Sequence, residues 1–491
     1  MHMEYMTFGE CLDSLLKSKK MSVSGLAEAT GTKSRNSIRR LLKDECGISV
    51  MEAFNSKLME SDPLALSEAE RSQLEQALEV SKVGKDTYQA RKILLQLFDN
   101  NGQIRKNESP LALNPATKET IPLRELFATY KAYSKLNLLI FDAVSAEFTD
   151  ELVDMILNYA STYISVSQLL YLRDSSIHNA ETFASIFKLF NYEHYNLYST
   201  PSEPALDKTA VPSGFIIINK ETAEGGHSTD LIRMDHGGSF SFIQDMPGNS
   251  LYHFYLHHFD SLKMNSQIIR RTYKKKNPVA TVLNISNLSV QLGENTNVYR
   301  IQHGLSYLMI PYDILLNMAA ETNYFGLGEN NPIFQNLKQV WYERFYSCFN
   351  IDTRKVHILT KRGLLDFVKN GVLSDHFCYF RPFTLEEIKA TLEFIFKQLT
   401  EKGFLKILLL KNDYALGNIQ FLYYEDKALW LFDASSGYNE NYFEGFIDSA
   451  PILEVFDDFI KNELIPNHTW PESETRDFLE HLIANCDDQP D

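Results

Sequence analysis

A chain of 491 residues, 44 % hydrophobic and 23 % charged, has the composition of a folded protein rather than a disordered or fibrous one. Its length allows roughly two to four domains. The net charge of −16 argues against nucleic acid wrapping around the whole surface. No apolar run approaches the roughly eighteen residues of a membrane span, and no signal peptide is recognisable. The five cysteines (Cys11, Cys46, Cys348, Cys378, Cys486) are scattered without metal-ligand spacing. A cytoplasmic protein with no metal, no cofactor and no membrane partner is expected.

In chain order, Phe8, Cys11, Leu12, Leu15 and Leu16 form the stripe of an opening helix. Ser22 is placed to cap a second helix with Val23, Leu26, Ala27 and Thr30 on one face. Thr30-Gly31-Thr32 breaks it, Gly31 supplying the positive φ of a tight turn. In the next helix, at about 100° per residue, Ile38, Leu41 and Leu42 cover one arc. Arg35, Asn36, Arg39, Arg40 and Lys43 cover the opposite arc, and no carboxylate occurs between Lys33 and Lys43. The five cations of that stretch leave the rest of the chain at −21 against a total of −16. Screening over about 10 Å at 0.1 M salt lets such a local basic face act beside a distant acidic mass.

The pattern Leu26-Ala27-Glu28, Gly31, then Ser34-Arg35-Asn36-Ser37-Ile38-Arg39-Arg40-Leu41 resembles the phage-repressor (XRE-type) helix-turn-helix of bacterial transcription regulators. The resemblance covers about forty residues. Ile38 stands seven residues after Gly31, one more than in that pattern, so the turn is longer or the second helix starts later. The resemblance implies double-stranded DNA as partner. Arg35 and Asn36 would read base edges, Arg39, Arg40 and Lys43 would divide between bases and phosphates, and Lys33 and Ser34 would lie along the backbone. The alternative is an ordinary amphipathic helical hairpin with a solvated basic face.

The helical head is placed at residues 4–60, with a further helix over 48–59. Residues 61–100 follow as a helical linker or dimerisation segment, opened by the capping box of Ser67 and Glu70 and broken at Gly84-Lys85. Asn100-Asn101-Gly102, Pro110, Pro115 and Pro122 mark a boundary. The body is expected to be α/β or α+β, in two parts over 101–276 and 277–491. Strands are expected at 137–141, 166–171 and 215–218, with a helix over 149–163. The charged run 270–278 before Pro278 reads as an exposed connection. Beyond it, 279–285 and 307–310 read as strands, and 314–320, 333–349 and 385–399 as helices. Residues 406–410, 418–424 and 428–432 suggest a three-stranded antiparallel meander, and 456–464 and 472–483 a closing helix pair. Phe141-Asp142-Ala143-Val144-Ser145 and Phe432-Asp433-Ala434-Ser435-Ser436 echo each other, a hint of duplication. The stretch 304–399 is also similar to the C-terminal parts of clostridial regulators.

Phosphate loops, a Gly-x-Ser-x-Gly elbow and a His-Glu-x-x-His helix are absent. A phospholipase-D-like scaffold would suit the body's alternation, but no histidine is followed two places on by lysine, its usual nucleophile motif. His253 and His257 have the i, i+4 spacing of a zinc pair, although the surrounding rings point to core packing. Asp375, His376 and Arg381 lie among aromatics in a stretch suited either to a ligand pocket or to a loop with Arg381 paired to a carboxylate. The expectation is a DNA-binding transcription regulator, homodimeric, whose body senses a small-molecule or peptide effector. A hydrolase carrying a helical adaptor, with Asp375 and His376 as first suspects, and a protein-interaction scaffold are the alternatives.

Overall fold

Caps, apolar spacing and one close backbone approach shape the amino-terminal helices. The computed structural model describes residues 5–32, 34–99, 123–142, 146–159, 161–171, 176–190, 192–200, 214–234, 240–244, 250–274, 292–293, 296–306, 309–321, 332, 335–336, 338–339, 342–343, 354–373, 381–402, 405–412, 419–433 and 441–486. They divide into two compact units, Met1–Ile93 with Ser175–Ala180, and Leu94–Asp174 with Glu181–Asp491.

The first unit is helical: α1 (Phe8–Ser18), α2 (Val23–Ala29), α3 (Arg35–Leu41), α4 (Ile48–Ser61), α5 (Glu68–Val83) and the start of α6 (Lys85–Asp99). Ser22 accepts from the Gly25 amide, Ser34 from that of Asn36, and Ser67 forms its capping box with Glu70. Thr7 and Glu10 form another capping box at α1, each satisfying an amide that the helix leaves without a partner. Gly31 has φ +63°, α2 ends at Ala29 and α3 begins at Arg35. Phe8, Leu12, Leu26, Ile38, Phe54 and Leu58 share one core.

Leu74, Ala77 and Leu78 of α5 belong to that same core, as do Leu64 and Leu66 of the connection. The core of the head expected at residues 4–60 thus takes in apolar residues as far as Leu78. The proline stop after α4 ends a helix but not the domain, because apolar residues on both sides of it are buried together. Gly9 sets how closely α1 meets the end of α3. A Cβ there would lie 2.6 Å from the Leu41 carbonyl oxygen and 2.8 Å from that of Leu42. Gly9→Ala is expected to destabilise this unit by about 1–3 kcal/mol, read as a lowered first transition in a thermal melt.

The second unit is built on one mixed sheet. Its elements are α7 (Leu123–Thr129), β1 (Lys135–Phe141), α8 (Ala146–Asn158), β2 (Tyr163–Tyr171), α9 (Ser176–Leu189, whose residues up to Ala180 fall in the first unit), β3 (Tyr195–Thr200), β4 (Gly214–Glu221), β5 (His227–Met234), β6 (Phe240–Ile243), α10 (Ser250–Met264) and β7 (Gln267–Lys274). There follow β8 (Val298–Gln302), α11 (Tyr312–Glu321), β9 (Lys355–Thr360), α12 (Lys361–Asn370), α13 (Leu385–Lys397), β10 (Leu405–Leu410), β11 (Ile419–Tyr424), β12 (Ala428–Asp433), β13 (Asn441–Ile447), α14 (Ala450–Phe459) and α15 (Glu472–Ala484). The 13 strands run β10-β9-β8-β11-β12-β13-β7-β3-β2-β1-β4-β5-β6. Fully buried runs such as Phe215, Ile216, Ile217 and Ile218 are what a strand covered on both faces requires.

The order contains itself twice. The set β3-β2-β1-β4-β5-β6 is repeated by β10-β9-β8-β11-β12-β13, with parallel pairs on one side of β1 and β8 and antiparallel pairs on the other. Even β7, antiparallel to β3, has a counterpart in the Leu410–Thr469 bridge on the outer side of β10. The sequence echo does not mark this repeat. Its first copy begins at Phe141, the last residue of β1, and its second at Phe432 of β12, whose counterpart in the first half is β5.

Several expectations need correction. Residues 270–274 are not an exposed connection but part of β7, which joins the halves between β3 and β13. The meander is only a β11–β12 hairpin, since β10 lies at the sheet edge, parallel to β9. The helix expected over 149–163 ends at Asn158, and Tyr163 already begins β2. In place of a strand at 307–310, the strand is β8, and Met309 and Ile310 are buried outside any strand. The segment 279–285 and most of 333–349 lie outside the described residues.

Candidate nucleic-acid interface and polar clusters of the body

Helix α3 turns Ile38 and Leu41 inward, fully buried, and leaves Ser34, Arg35, Asn36, Arg39, Arg40 and Lys43 exposed. Lys33 lies outside the described residues. Among the described residues, Arg35, Arg39 and Lys43 make no ion pair or side-chain hydrogen bond, so their charge is uncompensated. Arg40 is partly committed, its Nη2 donating to the Glu45 carbonyl at 3.0 Å.

Asp44, the first acid after the run, is turned away from the basic face. It has φ +53°, and its carboxylate accepts from the Gly9 amide at 3.0 Å and from the hydroxyls of Ser81 (3.3 Å) and Thr7. An anion at the start of α1 also meets the favourable end of that helix dipole. The sequence alone placed Asp44 beside Lys43; the fold removes its charge from the surface that matters. What remains is a short cylinder, apolar behind and cationic in front, suited to phosphate and base-edge contacts.

The ligand residues named from the sequence fare differently. Asp375 and His376 lie outside the described residues. Arg381 is occupied: Nε donates to Glu321 at 2.6 Å, while Nη1 and Nη2 form a two-pronged pair with Glu387 at 2.8 Å each. Glu387 also accepts from the Thr384 amide, so the arginine pins the start of α13. The Arg381 hydrogen bond, ahead of the Thr384 amide, holds the Glu387 carboxyl down at about 2. A depressed carboxyl contributes stability above its unfolded value of about 4.3 and loses it as pH falls towards the folded value. Glu387→Gln is therefore expected to lower the melting temperature at pH 6 and to have no effect near pH 2. The difference is at most about 1 kcal/mol because the pair is solvent-screened.

His253 and His257 are both exposed on α10, and no cluster of three metal-ligating side chains forms among the described residues. A different polar group forms where β8 and β9 end. His303 Nδ1 lies 3.0 Å from Thr360 Oγ1, and its Nε2 lies 3.4 Å from Asp366. The order hydroxyl–imidazole–carboxylate invites a nucleophile reading. The hydroxyl, however, is buried, donates to the His303 carbonyl at 2.8 Å and accepts from the Gly363 amide at 2.9 Å as the cap of α12. Its proton and one lone pair are committed to the turn, so the hydroxyl serves as a cap. Lys220 and Asp230 form another polar group, at 2.7 Å and almost fully buried, with the Tyr130 hydroxyl on the second Asp230 oxygen at 2.9 Å. The Lys220–Asp230 pair crosses between the adjacent strands β4 and β5 and stabilises their pairing.

Sequence reasoning missed two nitrogens that the structure shields from solvent without a partner, Arg233 Nε and His258 Nε2. Nothing in the local sequence marks Arg233, whose face is set by the β4–β5 register, while His258 is carried by α10.

A search against protein-family models and one against curated proteins found no match. Among solved structures, one similar chain is a phosphatidylserine synthase of Haemophilus influenzae Rd KW20, at 8 % identity, covering 74 % of this chain and 90 % of that one. The TM-score is 0.24, and neither fold nor chemistry follows from a superposition at that level. The class defined by the coordinates themselves is a mixed α/β protein with a large 13-stranded sheet. No helix among the described residues is long and apolar enough to cross a membrane.

Proposed function

We propose that the chain is a sequence-specific DNA-binding regulator of transcription, acting as a cytoplasmic homodimer. The observation that carries this reading is the exposed face of α3, with Arg35, Arg39 and Lys43 uncompensated around a helix whose back is locked into the core. Uncompensated cations on a rigid support are costly neighbours unless a polyanion meets them, and they release counterions when it does. Asn36 beside Arg35 supplies the side-chain amide and guanidinium that suit adenine and guanine edges. Two such heads about one helical turn apart would read a palindrome. The large sheet is the part that binds an effector or assembles subunits, and an effector acts only by favouring one arrangement of the heads.

The test is selection of duplexes from a random pool by the full chain, followed by anisotropy titration of the winner between about 50 and 200 mM salt. Enrichment of a palindrome, with affinity falling steeply with salt, is expected. Failure to enrich any sequence would remove the regulator reading.

A further inference from the structure

At the carboxyl end of β1 the register lines up Phe141 with Phe215 of β4, and Phe215 with Arg233 of β5. Directly opposed residues share a sheet face, and this face is the one covered by α10. The Tyr255 ring lies 4.8 Å from Phe215, and the His258 ring 5.9 Å from Phe141 and 6.1 Å from Phe215. Here β2 and β3 depart to one side of β1 and β4 to the other. In open α/β sheets the crevice at such a reversal, beyond the strand's carboxyl end, is where ligands sit.

Two features of this row are unexplained by folding. Arg233 Nε and His258 Nε2 are shielded from water and make no hydrogen bond, and neither side chain is paired among the described residues. The second half of the sheet provides an internal comparison. There the corresponding row is Ile301, Phe421 and Leu431, covered by Phe456 of α14, entirely apolar and buried. The same topology is thus stable without a charge at this place.

We propose that Arg233 and His258 form a binding site for a small organic carboxylate with an aromatic or other apolar body. The guanidinium fork matches a planar carboxylate, the imidazole offers one further donor, and Phe141, Phe215 and Tyr255 form the apolar wall. Burial, and secondarily the neighbouring His257, holds the His258 imidazole below its usual value, so it is neutral until an anion arrives. Burial raises the Tyr255 hydroxyl above its usual value and Arg233 opposes that shift, which places its charge within reach of that ring. Asp260 and His257 of α10 are exposed, and the described residues of this row include no carboxylate to satisfy the arginine internally. The site lies wholly within the second unit and does not depend on what α3 binds.

Benzoate is the probe, with benzamide as its uncharged isostere and inorganic phosphate as the alternative anion, each titrated into the full chain by ligand-observed NMR. Saturable benzoate binding with a midpoint on the order of millimolar, displaced by neither benzamide nor phosphate, is expected. Arg233→Met should weaken it by about tenfold or more, and Arg233→Lys, which keeps charge but loses the fork, should fall between. His258→Phe should weaken it less, leaving the melting temperature unchanged. Preference for phosphate, equal binding of benzamide, or undiminished binding in both Arg233 variants would each overturn the proposal. If Arg233→Met does not fold, the benzoate–benzamide comparison on the unaltered chain decides alone.

Discussion

Arg270→Met is expected to destabilise the second unit by on the order of 3–5 kcal/mol, seen as a lower urea midpoint. Arg270 is 0 % exposed, on the strand that joins the two halves of the sheet. Its Nε donates to the Phe190 carbonyl at 2.8 Å and its Nη2 to that of Tyr192 at 2.7 Å, while Nη1 meets the carbonyl of Tyr195. Its planes also lie against the rings of Phe190 and Tyr195. Two effects compete. Burying a cation is costly, and burial does pull the Arg270 guanidinium down to about 10. Against that, the fork donates to three backbone carbonyls between the end of α9 and the start of β3. Methionine fills the volume but removes the guanidinium donor from all three carbonyls, of which that of Tyr192 keeps the Tyr195 amide at 3.2 Å; at about 1–3 kcal/mol for each carbonyl left unpaired, the loss outweighs the relieved desolvation. Arg270→Lys is expected to recover only part, because one ammonium cannot serve three diverging acceptors. A methionine variant within about 1 kcal/mol of the parent would show that the charge is a burden the sheet tolerates rather than its clasp.

The double variant Arg39→Ala with Arg40→Ala is expected to weaken duplex binding by about two orders of magnitude near physiological salt, at about 1–3 kcal/mol for each lost contact. It should also flatten the dependence of log K on log salt by between about one and two phosphate equivalents. Because both side chains are exposed and the core of α3 is carried by Ile38 and Leu41, the melting temperature should hardly move. The two residues should not contribute equally. Arg40 is already bonded to the Glu45 carbonyl and has less to gain from a phosphate, so Arg39→Ala alone should account for most of the loss. Equal binding by the parent and the double variant would detach this face from nucleic acid.

How far these elements could be read in advance depended on whether their cause is local. Ser22, Gly31 and Ser67 announce helix ends in the sequence because a cap or a positive φ is satisfied within a few residues. The α3 face was legible for the same reason, its sorting of charge and apolar residues following from helix geometry alone. Strand β7 was not legible. Its run of cations looks solvated, and only the carbonyls contributed from residues 190–195 make a buried Arg270 tolerable. The place of β10 was hidden likewise. Three strands close in sequence suggest a meander, yet the parallel partner of β10 is β9, some fifty residues earlier. The repeated strand order left little trace in residue identity, since two rows such as Phe141–Phe215–Arg233 and Ile301–Phe421–Leu431 share only the central phenylalanine. That Arg233 shares a face with Phe215 emerges only once that register is known.

The most direct measurement is amide hydrogen exchange of the full chain, alone and saturated with its selected duplex. The account predicts slowed exchange concentrated in residues 34–43, with the strands of the sheet unchanged. Slowed exchange confined to the sheet, with the amides of α3 exchanging as fast as in the free protein, would contradict it.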